Sequence, residues 1–205
     1  MPFDLSLQCE CGRVRGTACD VSPTTGSRFV CYCTDCQAFA RFLDRPDVLD
    51  SAGGTDIFQL PPGRVTLTAG ADAVRCLCFS KRVLRWYTDC CRTPIGNTAS
   101  SSRFPVVGLI HSFMDRPFMS DGADGPSRDE MLGPPRCRLY GRSAIGALPP
   151  TAPPPLSMRL YAGHAAKLLG WWARGLTRPN PFFDERSNVP LAAPLVLAQS
   201  ERAAV

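Results

Sequence analysis

The sequence predicts a mainly β protein, on three observations. Short segments rich in apolar and β-branched side chains recur between residues 3 and 113. The chain holds 17 Gly and 20 Pro in 205 residues, so turns are frequent between those segments. Long helical spacing of apolar residues is confined to the region after residue 155.

The elements follow in chain order. Residues 3–20 alternate roughly between apolar and polar side chains, with breaks at Gly12 and Gly16, and predict strand, tight turn and strand. Residues 29–33 form another short β segment. Thr34 or Asp35 is placed to cap a helix that runs to Leu43. Gly53-Gly54 is a turn, and without a following Lys-Ser/Thr it is no phosphate loop. Strands are expected at 57–60, 65–68, 73–79, 84–88 and 106–113. Residues 119–135 are polar with Gly and Pro and predict a long loop. Residues 146–155 are a Pro-rich, stiff spacer.

Beyond it, Tyr161, Ala165, Leu168, Trp172 and Leu176 fall at helical spacing, with Arg159, Lys167, Arg174 and Arg178 on or near the other faces. This predicts an amphipathic helix of about 20 residues that ends before Pro179. Its apolar face can dock on the β body, or the basic, Trp-bearing helix can rest on a membrane or partner. The last stretch reads as an extended tail over the surface. Residues 1–145 are thus one β domain, and 146–205 an appendage packed on that domain or a partner.

Composition excludes several classes. Hydrophobic residues make up 44% and charged residues 20%, which argues against wholesale disorder. No run of about 18 uncharged apolar residues exists, so no membrane-spanning helix is expected. The start, MPFDLSLQCECG, lacks the basic and apolar regions of a secretion signal, and a cytoplasmic protein is expected. The net charge of +5 includes no dense Lys/Arg run, so no nucleic-acid partner is expected. Eleven cysteines, an odd and clustered set, read as reduced metal ligands rather than a paired disulfide framework.

Three cysteine groups carry the chemistry. Cys31-Tyr-Cys33-Thr-Asp-Cys36 puts two thiols on one side of an extended segment and returns a third through a short turn. Three thiolates without a fourth local ligand suit zinc with an open position. A redox pair of Cys33 and Cys36 is the competing reading. Cys9-Glu-Cys11-Gly12 lacks local partners, and Cys90-Cys91 is the natural distant supplier for a closed, structural four-thiolate site. Cys76 and Cys78 read as core residues, and Cys19 and Cys137 as lone structural ones. His111 and His164 read as ordinary, non-ligating histidines. Trp86 and Phe39 either line the metal pocket or belong to the core.

Together these motifs resemble the glutathione-dependent formaldehyde-activating enzyme family, whose zinc module centromere protein V shares. The resemblance covers roughly residues 5–115, and the tail LGWWARGLTRPNPFF is similar to an uncharacterised bacterial branch. It implies a β-tent of small antiparallel sheets and two zinc ions. One would be structural, on Cys9, Cys11 and the later pair. The other would be held by Cys31, Cys33 and Cys36, with an exposed position. In one respect the sequence departs. The family's later pair is C-x-x-C-G, and alignment on the Thr-Pro turn puts Thr88 on its first Cys and Cys91 on its second. Cys90 is displaced, and it can share an ion with Cys91 only if the chain turns sharply there.

A zinc ion with three thiolates already carries one net negative charge, and it holds a fourth thiolate better than it activates water. The expected activity is therefore that of a carbon–sulfur lyase, S-(hydroxymethyl)glutathione synthase-like, on the adduct of a small thiol such as glutathione with a small aldehyde. Cys31, Cys33 and Cys36 would be its catalytic ligands. Arg28, Arg41 and Arg92, neighbours of ligands, are candidates to offset the charge. The alternatives are a non-catalytic zinc module that binds a protein partner and a thiol-redox or metal-handling protein. Oligomeric state stays open.

Overall fold

The computed structural model describes residues 2–80, 82–114 and 127–197. In chain order the elements are β1 (Phe3–Gln8), β2 (Arg15–Val21), β3 (Ser27–Cys31), α1 (Thr34–Phe42), β4 (Thr55–Leu60), β5 (Val65–Ala69), β6 (Val74–Ser80), β7 (Val83–Thr88), β8 (Pro94–Ala99), β9 (Val107–Ile110), α2 (Arg128–Leu132), β10 (Arg138–Leu139), α3 (Met158–Ala173) and β11 (Pro194–Val196). The protein is mainly β, as expected. Among the described residues no helix is long and apolar enough to cross a membrane.

Two sheets form. The smaller has the order β1-β2-β5, and the larger β10-β3-β4-β9-β8-β7-β6-β11. The larger sheet exceeds the small antiparallel units expected. Its inner strands pair antiparallel, while β10 and β11 add parallel at the two edges and cover their open hydrogen-bonding groups.

Period-two alternation sorts the side chains onto the two faces. In β1, Leu5 and Leu7 are buried while Asp4 and Ser6 face solvent. In the large sheet Phe58, Cys76, Cys78, Trp86 and Leu109 join the main core with β1 and β2. Their chain neighbours Ile57, Leu77, Tyr87 and Ile110 face the other way, towards Cys36, Phe39 and Leu43 of the α1 region. Close approach of β2 and β5 requires Gly16, where a Cβ would lie 2.3 Å from the Thr66 carbonyl oxygen.

Several expectations need correction. Phe182 and Phe183 do not lie over the surface. They are buried in the main core, where the Phe182 ring sits 5.1 Å from Trp86. The long helix spans 16 residues and ends at Ala173, because the chain turns through Gly175 at a φ of 70° before reaching Pro179. Its inward side runs through Leu160, His164, Lys167, Leu168 and Trp171, whereas Tyr161, Ala165 and Trp172 are exposed. Both helix faces are apolar, so spacing alone does not choose between them.

The N-cap of α1 is Cys33, not Thr34 or Asp35. The strand expected over 106–113 ends at Ile110, and a 3-10 turn follows at His111–Phe113. Within the expected loop, Ser127 and Glu130 form a capping box that starts α2, while residues 119–126 lie outside the described residues. β8 escaped the sequence reading because Pro94, Gly96 and Asn97 are poor strand formers.

The buried tail makes a testable demand. Phe182→Ala should destabilise the protein by roughly 3–5 kcal/mol in urea denaturation. Trp172→Ala, on the exposed helix face, should cost less than about 1 kcal/mol. Equal effects would contradict the core role of the tail.

Candidate metal centres

Two turns build the first sulfur cluster. Between β1 and β2 the backbone folds back on itself. The Cys9 N–H donates to the Val14 carbonyl at 3.0 Å, and the Gly12 N–H donates to the Cys9 carbonyl at 2.9 Å. The Val14 N–H donates to Cys9 Sγ at 3.2 Å. Gly12 adopts a φ of +76°, which favours glycine. Between β7 and β8 the Thr88 N–H donates to the Thr93 carbonyl at 3.0 Å, and Arg92 turns the chain with a φ of 54°. That sharp turn brings Cys90 Sγ within 3.8 Å of Cys91 Sγ.

Across the two turns, Cys9 and Cys11 sulfurs are 3.6 Å apart, Cys9 and Cys90 3.9 Å, and Cys11 and Cys90 3.4 Å. Four sulfurs at ~2.3 Å from one tetrahedral ion are spaced about 3.8 Å apart. Disulfide sulfurs sit at about 2.05 Å, and all eleven cysteines here are free. The spacing therefore fits a metal ion. Cys90 and Cys91 complete the set, while Thr88 hydrogen-bonds Cys91 Sγ at 3.4 Å. Thr93 does the same at 3.2 Å, and its Oγ1 also accepts from the Glu10 N–H, tying the two turns together.

Burial pushes the Cys9 and Cys90 thiols up. Burial also acts on Cys91, but the hydrogen bonds from Thr88 and Thr93 outweigh it and carry that thiol down. Thiols this crowded share few negative charges among themselves, and a dication lets all four ionise.

The second cluster sits where β3 passes into α1. Cys31 ends the strand, Cys33 caps the helix and Cys36 lies in its first turn. The Cys36 N–H donates to Cys33 Sγ at 3.3 Å. The three sulfurs lie within 4.8 Å of one another, and no further Cys, His or carboxylate among the described residues joins them within that distance. This cluster is deeper than the first. Cys31 and Cys36 are each 5% exposed, whereas Cys11 and Cys90 face solvent. Hydrogen bonds to Cys33 and Cys36, with burial, push the Cys31 thiol up, while hydrogen bonds from Cys31 and Cys36 push the Cys33 thiol down. Both donor sets offer soft sulfur ligands, the kind that zinc takes once they ionise.

The positive charge beside the trio comes from Arg85, which the sequence reading missed. Its guanidinium is buried, donates to Cys36 Sγ at 3.5 Å and to Asn97 Oδ1 at 3.2 Å, and pairs with Asp35 at 3.8 Å. It lies over the rings of Phe39 and Phe79, at 5.7 and 5.6 Å from their centroids. A charged residue in the middle of the apolar run Leu84-Arg85-Trp86 was the signal available. The expected neighbours serve elsewhere. Arg28 forks onto Asp56 and pairs with Asp129, Arg92 donates to the Phe42 carbonyl at 3.3 Å, and Arg41 is exposed.

Of the other candidates, Cys76, Cys78 and Cys137 are buried, but Cys19 is exposed on the outer side of β2. His111 and His164 join neither cluster. Trp86 lies in the main core, and its Nε1–H donates to Thr98 Oγ1 at 2.9 Å, while Phe39 packs with the trio.

Residues 1–192 match the model of a family of unknown function (DUF6151). No curated protein matches the chain.

The two clusters should respond differently to mutation. Cys11→Ser should unfold the protein or sharply lower its yield, because it opens the link between distant turns. Cys33→Ser should leave it folded with one bound metal fewer, measured by elemental analysis alongside circular dichroism. Identical behaviour of the two variants would contradict separate roles.

Proposed function

The chain belongs to this family of unknown function, and we propose that it is a zinc-dependent protein of carbon–sulfur lyase type. Its substrate class would be the adduct of a small thiol, such as glutathione, with a small aldehyde. Cys9, Cys11, Cys90 and Cys91 would hold a structural zinc, and Cys31, Cys33 and Cys36 a reactive one.

One observation carries the reading: among the described residues four sulfurs meet in one cluster and three in the other. The ion on the trio would supply a position that favours a fourth thiolate sulfur over water, because three thiolates already weaken it as a Lewis acid. The chain's own residues prepare that place. Arg85 offsets the excess negative charge from within the protein wall, and its stacking on Phe39 and Phe79 fixes its direction. Tyr87 meets Phe39 and Phe42 edge to face, at 6.3 and 5.7 Å, beside the trio. In the reaction the thiol adds across the aldehyde carbonyl. A sulfur–carbon bond forms, and the thiol proton ends on the carbonyl oxygen; the reverse cleaves the adduct. The resemblance to the formaldehyde-activating family supports this class. The burial of Cys31 and Cys36 favours a second reading, a closed and non-catalytic zinc module.

Cobalt substitution separates the two. Titrating the cobalt protein with glutathione should change its sulfur-to-metal charge-transfer bands in a saturable way, and Cys33→Ser should abolish the change. No response to glutathione, cysteine or 2-mercaptoethanol would remove the lyase reading and leave the closed module. Arg85→Met should weaken metal retention at the trio roughly tenfold or more in chelator competition, because a buried negative charge loses its partner.

A further inference from the structure

Under α3, over the edge formed by β10, β3 and β4, lies a cavity of about 680 Å³, within the size range of small-molecule sites. Its apolar lining includes Phe29, Leu139, Leu156 and Leu160. Among the described residues its charged lining is of one sign: Arg28, Arg136, Arg159 and Lys167, with His164 beside them and no carboxylate. Arg28 is already committed to Asp56 and Asp129. Among the described residues no carboxylate pairs with the other cations. Lys167 Nζ donates to the Thr24 and Gly26 carbonyls at 3.0 and 2.6 Å and to Ser27 Oγ at 3.3 Å, all uncharged acceptors. Arg136 and Arg159 are exposed and form no ion pair with a described residue. Burial and the Arg136 charge both pull Lys167 down, and burial with the Lys167 and Arg136 charges does so for His164. A half-buried ammonium and two guanidinium groups thus converge on a hollow with an apolar floor.

We propose that this cavity binds an amphipathic anion, a single apolar chain with a carboxylate or phosphate head. The chain lies on Phe29, Leu139 and Leu160, and the head reaches Arg136 and Arg159 at the rim. Guanidinium forks suit either head, and Lys167 adds unopposed charge behind them. None of the seven clustered metal-site sulfurs lines the cavity, so the proposal stands apart from the zinc reading.

The test uses the full-length, metal-loaded protein and calorimetric titration below the micelle threshold. The probes are decanoate and decyl phosphate, with decanol, decyltrimethylammonium and acetate as comparisons. Gly163, on the cavity side of α3, offers a clean block, because a Cβ there meets nothing within 4 Å. Gly163→Leu should keep or raise helix stability while filling the hollow. At least one of the two anions should bind, and the tighter identifies the head. Decanol, the ammonium and acetate should bind roughly tenfold more weakly or not at all. Gly163→Leu should abolish binding, and Arg136→Ala with Arg159→Ala should weaken it roughly tenfold or more, with circular dichroism and metal content unchanged. The proposal fails if neither anion binds, if decanol matches them, or if either variant binds as the parent does.

Discussion

Four sulfur atoms, neighbours at 3.4 to 3.9 Å, meet where the β1–β2 turn reaches the β7–β8 turn across some eighty residues of chain. Protonated thiols have little reason to gather so closely, and ionised ones repel. A soft dication reverses both effects at once. Closing a loop of that length restricts the unfolded chain by an amount on the order of 4 kcal/mol in the chain-entropy account of cross-links. The two turns also bring a hairpin of the three-stranded sheet to a hairpin of the eight-stranded one, beside the main core of Leu5, Leu7, Trp86 and Ile95.

Once that frame is set, the other face of the large sheet becomes the place where chemistry collects. Cys31 and Phe29 project from the same side of β3, and Arg85 from the same side of β7 as Tyr87. The sulfur trio lies at the α1 end of this face, and the cationic cavity lies under α3. Phe29 belongs to both surroundings, since it packs with Cys31 and also lines the cavity. One wall of the sheet thus lies between the cysteine trio and the cationic, apolar-floored cavity.

What the sequence made legible follows from the range of each interaction. The hairpin at Gly12, the turn at Gly53 and the strand faces are local, set by glycine conformations and alternation, and they appear where expected. The C-x-C-x-x-C trio is local as well. The partnership of Cys9 and Cys11 with Cys90 is legible only through the chemistry of thiol ligands, and the φ of 54° at Arg92 marks the turn that permits it. Arg85 stayed hidden because its contact to Cys36 spans 49 residues and depends on strand register. The inward face of α3 stayed hidden because Leu160, Leu168 and Trp171 compete with Tyr161, Leu169 and Trp172 on equal apolar terms. The burial of Phe182 could not be read from a Pro-rich tail whose partner, Trp86, lies 96 residues earlier in the chain.

X-ray absorption at the metal edge of the purified protein reaches the centre of this account directly. It should find zinc, two ions per chain, in a shell of sulfur alone or nearly so, at ~2.3 Å. A shell dominated by nitrogen or oxygen, or a protein without metal whose sulfurs are bonded to one another, would contradict it.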